Sequence, residues 1–198
     1  MDQNERHPAS RRLFIAVPLP GALKEQLKQL SEGLPQSMRF ASRTHREDYH
    51  ITLQFLGDTA ESAIPALVAA MREVAAESGP FVLSLDGLGS FGQDDAPRVL
   101  WAGISGERDE LSRLQRRVTE ATAPLGFIAE KRPYAPHITL ARKFRGVRPL
   151  EEGAVAAAGD ALAPSEWTAD RIVIYETQMH SKPMYKAVAE LEFGRLPG

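Results

Sequence analysis

Apolar positions along this chain switch between two periods, and the switching lays out a protein of mixed helices and strands. Leu13 to Val17 is a short apolar run stopped by Pro18, which suits a central strand because proline has no N–H for a sheet ladder. From Leu23 the apolar residues return at Leu27, Leu30 and Leu34, steps of three and four that share one helical face, so a helix over 20–34 is predicted. At Tyr49 to Leu56 the period becomes two, with Ile51, Leu53 and Phe55 on one side and His50, Thr52 and Gln54 on the other, the pattern of a half-buried strand. Ile64, Leu67, Val68, Met71 and Val74 make a second helix, ended by Gly79-Pro80 before a strand from Phe81 to Leu88 and a glycine-rich turn. Val99 to Ile104 reads as a strand, and Leu111, Leu114, Val118 and Leu125 as a third helix closed by Gly126. His137 to Leu140 alternates again, and after an alanine-rich stretch Arg171–Tyr175 and Tyr185–Phe193 are the last strand candidates. Residues 1–11 are polar and aperiodic, a flexible tail ahead of one domain over 12–198.

The pattern repeats. Sliding the chain against itself by 87 positions lays His50-Ile51-Thr52-Leu53 on His137-Ile138-Thr139-Leu140. One shared tetrapeptide is weak evidence, but the same offset lays Arg11 on Arg98, Leu13 on Leu100, Phe14 on Trp101, Ala16 on Gly103 and Val17 on Ile104, and aligns the first helix with the third. Both halves then read strand, helix, strand. The expectation is an α+β fold of two lobes related by a pseudo-twofold axis, each lobe with an antiparallel sheet and helices and each offering a His-x-Thr strand to a central cleft. The pairing of Trp101 with Phe14 favours core packing for the tryptophan.

Composition narrows the classes. The 198 residues are 43% hydrophobic and 25% charged, with 24 basic against 26 acidic side chains, which excludes collagen, coiled coil, long disorder and a membrane span. No cysteine is present, so thiolate nucleophiles, disulfides and cysteine-ligated metals are excluded. Ser10-Arg11-Arg12 before an apolar run resembles a twin-arginine export signal, but Pro18 and Pro20 interrupt the run and a charged amphipathic helix follows at once, so a buried strand and a cytoplasmic setting are expected. The net charge of −2 attracts no polyanion globally. Locally, Lys131, Arg132, Arg142, Lys143, Arg145 and Arg148 crowd around His137 in a stretch without acidic residues, while Arg39, Arg43 and Arg46 precede His50 and are partly offset by Glu47 and Asp48.

In a strand, residues i and i+2 share a side, so each imidazole stands beside a threonine hydroxyl. Imidazole titrates at about 6.5, which allows one ring to be protonated and the other neutral near neutral pH, an acid and a base. Uncharged hydroxyls can donate to phosphoryl oxygens, so a phosphodiester suits the arrangement. A zinc site built from the two histidines and Asp48, on the same strand face as His50, is the rival reading, although no carboxylate precedes His137 in the corresponding place.

Tyr-His-Ile-Thr-Leu-Gln-Phe-Leu-Gly at 49–57, Arg-Pro-Tyr-Ala-Pro-His-Ile-Thr-Leu-Ala-Arg at 132–142 and Arg-Leu-Phe-Ile-Ala-Val at 12–17 closely resemble the two-histidine phosphoesterases. Within that superfamily the chain is most similar, from about Arg12 to Phe193, to the RNA 2′,3′-cyclic phosphodiesterases, formerly called 2′-5′ RNA ligases. The resemblance implies a bilobal fold around a water-filled cleft and metal-independent, cofactor-free opening of terminal 2′,3′-cyclic phosphates to 2′-phosphates. It also implies His50 as proton donor, His137 as proton acceptor, and Thr52 and Thr139 beside them. RNA 3′ ends or cyclic nucleotides would be the substrates and a monomer is expected. An arginine after the second motif matches Arg142, yet strict alternation points Arg142 away with Ile138 and Leu140, so the strand must end or bulge for it to reach the cleft. Tyr134 and Tyr185 could stack on a base. Phe40 stands where relatives often carry tryptophan. Alternatives are phosphodiesterases of 2′-5′ linkages or of ADP-ribose 1″,2″-cyclic phosphate, and a non-catalytic RNA-end binder, which would not need two titratable rings.

Overall fold

The computed structural model describes residues 9–194. Among them the two periods resolve into β1 (Ser10–Pro18), α1 (Gly21–Gly33), β2 (Phe40–Arg43), β3 (His50–Ala60), α2 (Ile64–Ala76), β4 (Phe81–Gln93), β5 (Ala96–Gly106), α3 (Arg108–Thr122), β6 (Ile138–Phe144), α4 (Ala154–Gly159), β7 (Glu166–Ala169), β8 (Arg171–Thr177) and β9 (Tyr185–Glu192). The strands form two antiparallel sheets, ordered β3-β1-β8-β9 and β2-β6-β5-β4-β7. Counted outward from the strand that follows each histidine or begins with it, β3-β1-β8-β9 and β6-β5-β4-β7 are the same arrangement. β2, from the first half of the chain, is added at the edge of β6.

The halves are interlocked. α3 follows β5 but packs on β3, α1 follows β1 but reaches β6, and α2 lies against α3. Leu13, Ile51 and Ile172 of the first sheet, Leu83, Ile104 and Ile138 of the second, and Leu27, Met71 and Leu111 of the helices therefore share one buried cluster. Each such side chain contributes about 1.5–3 kcal/mol by leaving water. α3 shows how the sequence selects these contacts. Leu111, Leu114, Val118 and Thr122 recur on one buried face, Asp109 and Glu110 sit in the first turn where the helix dipole favours negative charge, and Gly126 at φ 91° turns the chain away beyond its end. A smaller cluster of Met38, Phe40, Leu100, Ala141 and Leu150 flanks β6, so Phe40 is a core residue, packed edge-on against Phe144 at 5.7 Å.

Three expectations are corrected. Ser10 and Arg11, expected in the tail, are paired in β1 with Ala60 and Thr59, and Arg11 bonds Glu176 at 2.6 Å; residues 1–8 of the expected tail lie outside the described residues. No turn follows Leu88, because β4 continues through Gly89 to Gln93 against β5 and the chain reverses only between Gln93 and Ala96. Gly89 stays in the strand because the Trp101 ring occupies the space its side chain would take.

The third correction concerns which way side chains face. Along β1 and β3, Ile15 pairs with Gln54 but Ala16 with Thr52, so Leu53 is an extra residue, and along β5 and β6, Leu100 pairs with Ala141 but Trp101 with Thr139, so Leu140 is an extra residue. These bulges fall at the same place in the two copies of His-Ile-Thr-Leu. Each puts two successive residues on the core side, Leu53 with Gln54 and Leu140 with Ala141, and inverts the alternation beyond. Gln54, expected beside His50, is buried and its Oε1 accepts from the Thr122 hydroxyl of α3 at 2.7 Å. Phe55, expected in the core, is 56% exposed and lies beside Phe14.

Gly89→Ala should displace the Trp101 ring, and overpacking of this kind costs about 1–3 kcal/mol. Thermal unfolding should show a Tm several degrees below wild type, and an unchanged Tm would mean the ring yields without cost.

Candidate active site

His50 is the first residue of β3 and His137 immediately precedes β6, both half-buried on the side away from the core. Their rings are held alike. His50 Nδ1 lies 2.6 Å from the carbonyl oxygen of Asp48 and His137 Nδ1 lies 2.7 Å from that of Ala135, in each case two residues back. A carbonyl oxygen only accepts, so the proton of each neutral ring sits on Nδ1 and Nε2 is left as the basic atom. Beneath the rings run aromatic side chains. Phe14 is 4.8 Å and Tyr185 5.2 Å from the His50 centroid, and Phe91 is 4.9 Å and Trp101 6.1 Å from that of His137. Trp101, expected in the core through its match with Phe14, thus forms part of the site wall, and so does Phe14.

Desolvation by these walls is the largest influence on both rings and disfavours the imidazolium. It pushes His50 down from 6.5 to about 4, against the raising effects of the Asp48 carbonyl bond and the Asp48 carboxylate, with His137 and Arg142 lowering it further. His137 is lowered as well, by desolvation first and by Arg142, with the Ala135 carbonyl opposing. In both rings the surroundings favour the neutral form.

The threonines differ. The Thr52 hydroxyl is 3.0 Å from His50 Nε2 and donates to it when the ring is neutral, whereas among the described residues no bond joins Thr139 to His137. Thr139 instead holds register opposite Trp101. Tyr134 packs against the core, and its hydroxyl donates to the Thr52 carbonyl at 3.0 Å, tying the second half of the chain to the first strand of the site. Burial holds its phenol far above the usual range. That bond was not legible in the sequence, which offered Tyr134 as a base-stacking surface.

Arg142 answers the alternation problem. The extra residue at Leu140 turns Arg142 toward the cleft, where its charge depresses both imidazoles and the Tyr185 phenol. Lys143 beyond it has φ 61°, the left-handed backbone that costs an ordinary residue about 1–2 kcal/mol. Of the remaining basic stretch, Arg132 pairs with Glu130, and on the other side Arg46 is committed to Glu25 and Glu47. The zinc reading loses its third ligand. Asp48 is 6% exposed and its oxygens accept the backbone N–H groups of Met184 and Tyr185 at 2.9 and 3.0 Å. Sequence reasoning missed that role of Asp48, and it missed Phe91 and Tyr175, for which only a longer β4 and the pairing of β8 with β9 supply a signal.

Comparison with known proteins assigns the chain to a family. Residues 19–180 match the 2′-5′ RNA ligase superfamily, and the chain belongs to it. A Geobacillus stearothermophilus protein that carries the name RNA 2′,3′-cyclic phosphodiesterase is 43% identical over 176 residues, 89% of this chain and 55% of that protein, so the chain spans about half the length of this relative. A Bacillus subtilis protein of the same name is 32% identical over 90% of this chain and 94% of its own length. The crystal structure of E. coli LigT with 3′-AMP superposes with a TM-score of 0.74 at 22% identity, covering 93% of this chain and 99% of that one, which establishes the common fold. No helix among the described residues is long and apolar enough to cross a membrane.

Because His50 is lowered from 6.5 to about 4 in the folded protein, the unfolded chain takes up a proton in that interval that the native state refuses. Stability from this group is therefore complete above pH 6.5 and falls as the pH drops toward 4. Tm measured across that window should decline more steeply for wild type than for His50→Gln, and equal slopes would show that His50 is not depressed. Tyr134→Phe, which leaves the Thr52 carbonyl without its donor, should cost about 1 kcal/mol in chemical denaturation.

Proposed function

We propose that the protein is a hydrolase of terminal 2′,3′-cyclic phosphates on RNA, leaving a 2′-phosphate, by acid and base catalysis between His50 and His137. Water attacks phosphorus as His137 Nε2 takes its proton. The bond from phosphorus to the 3′-oxygen breaks as protonated His50 delivers a proton from Nε2 to that oxygen, and the phosphoryl group stays on the 2′-oxygen. The two rings end with their protonation reversed and are reset by exchange with solvent. Thr52 and Thr139 donate to the non-bridging oxygens, and Arg142 offsets the charge that gathers there in the transition state. Desolvation that keeps both rings neutral in the free protein is offset when an anionic phosphodiester enters, because a negative charge between the rings favours imidazolium.

The observation that carries this reading is the matched anchoring of the two rings. Each Nδ1 is occupied by a carbonyl two residues back, which leaves Nε2 of each ring as the atom available to exchange protons, that of His50 beside the Thr52 hydroxyl. A module that only binds RNA ends has no need of two basic nitrogens prepared alike. The names of the relatives support the substrate class, and the chemistry itself, which moves protons and displaces an alkoxide, calls for no metal or organic cofactor. We place the enzyme in the cytoplasm as a monomer, acting on RNA 3′ ends or cyclic nucleotides, with the two lobes working as one unit.

The test is hydrolysis of adenosine 2′,3′-cyclic phosphate and of a cyclic-phosphate-ended oligonucleotide in EDTA, with 2′- and 3′-phosphate products resolved by chromatography. Wild type should give only the 2′-phosphate. His50→Ala and His137→Ala should each lower kcat by roughly 10²–10⁴-fold while circular dichroism and Tm stay close to wild type. Loss of activity in EDTA restored by zinc, or product carrying a 3′-phosphate, would sink the proposal.

A further inference from the structure

Apart from the Thr52 bond to His50, which His137 lacks, the two halves of the site differ most at one place. The residue two before His50 is Asp48 and the residue two before His137 is Ala135. Their carbonyls do the same work, but only the first residue carries a carboxylate, and that carboxylate is buried and near enough to the His50 ring for its charge to favour the imidazolium. It is held there by the amides of Met184 and Tyr185, where β9 begins, and the Tyr185 ring in turn meets His50 edge-on with an interplanar angle of 84°. Asp48 therefore joins three elements around one histidine: the Arg46–Asp48 turn, the start of β3 and the start of β9.

We propose that Asp48 is the positioning residue that makes the pseudo-symmetric site unequal, holding Tyr185 against His50 and keeping a buried negative charge behind that ring, so that His50 rather than His137 carries the proton when a phosphate anion lies between them. The inference rests on the acid and base reading above and supplies a physical reason for its direction. Desolvation weighs on both rings and takes His50 down to about 4, so His50 needs a charge that favours its imidazolium if it is to carry the proton. The groups facing His50 are Asp48 from the turn, Tyr175 and Tyr185 from β8 and β9, His137 and Arg142 from the second sheet, and uncharged Phe14 from β1. Arg142 acts on both rings and cannot tell them apart by sign. Asp48 is the one carboxylate among the groups that act on His50, and its influence favours the charged ring. At the corresponding point of the second lobe Ala135 is exposed and offers nothing comparable.

The experiment is residue-resolved NMR titration of both imidazoles in 15N-labelled full-length protein, free and with saturating inorganic phosphate. In wild type with phosphate, His50 should titrate above His137. Asp48→Asn should lower the His50 midpoint by about one pH unit, a tenfold weaker proton affinity, and leave His137 nearly in place. A purely structural role would move neither midpoint selectively. The titration needs no turnover, so it stands or falls separately from the cyclic phosphate reading. On a substrate that is turned over, the optimum of kcat/KM lies at the mean of the acid and base pKa values, so Asp48→Asn should move it to lower pH by about half a unit. Asn keeps one carbonyl oxygen for the two amides, and should the variant unfold, Ala135→Asp provides the converse on an exposed residue, raising the His137 midpoint and narrowing the gap. His137 titrating above His50 in phosphate-bound wild type, or midpoints that neither variant shifts, would overturn the proposal.

Discussion

The extra residue at the leucine of each His-Ile-Thr-Leu strand is the constraint on which the site depends. A strand with strict alternation presents its histidine and threonine to one side and must then send every second residue after them the same way. The bulges at Leu53 and Leu140 break that rule immediately after the threonine. The core gains two successive side chains, and the residues beyond change faces, which exposes Phe55 in one lobe and brings Arg142 to the cleft in the other. A one-residue change of phase reverses every subsequent side chain, so the cationic group of the site is a consequence of backbone irregularity more than of its own position in the sequence.

Packing and polar anchoring oppose each other at the histidines. The aromatic walls remove water from the rings and push both toward the neutral form, the stronger effect, while the carbonyl bonds at Nδ1 favour the charged form and lose. The net result is a pair of oriented rings whose surroundings favour the neutral form. A ring kept neutral in this way avoids the cost of a buried charge in the free protein. The Tyr134 bond to the Thr52 carbonyl and the crossing of α1 and α3 between the sheets keep the two strands at fixed separation, which two-sided proton transfer requires.

The amino-acid sequence by itself determined the class of fold and the repeat, and it brought the two histidines forward as the candidate site. Helical spacing in α1 and α3 and the His-x-Thr alternation at His50 and His137 are local properties, set by which face of an element can leave water, and they hold in the structure as far as each threonine. The offset of 87 positions located both histidines and predicted that Phe14 and Trp101 are equivalent, which they are as walls of the two rings. What only the tertiary structure decided depends on chain segments far apart. The bulges arise from pairing with β1 and β5, so no window around Gln54, Phe55 or Arg142 reveals their facing. Tyr134 meets Thr52 across 82 positions and Asp48 meets Met184 across 136, distances over which sequence pattern carries no signal, because a hydrogen bond is specified by where two backbones arrive and not by the residues beside either.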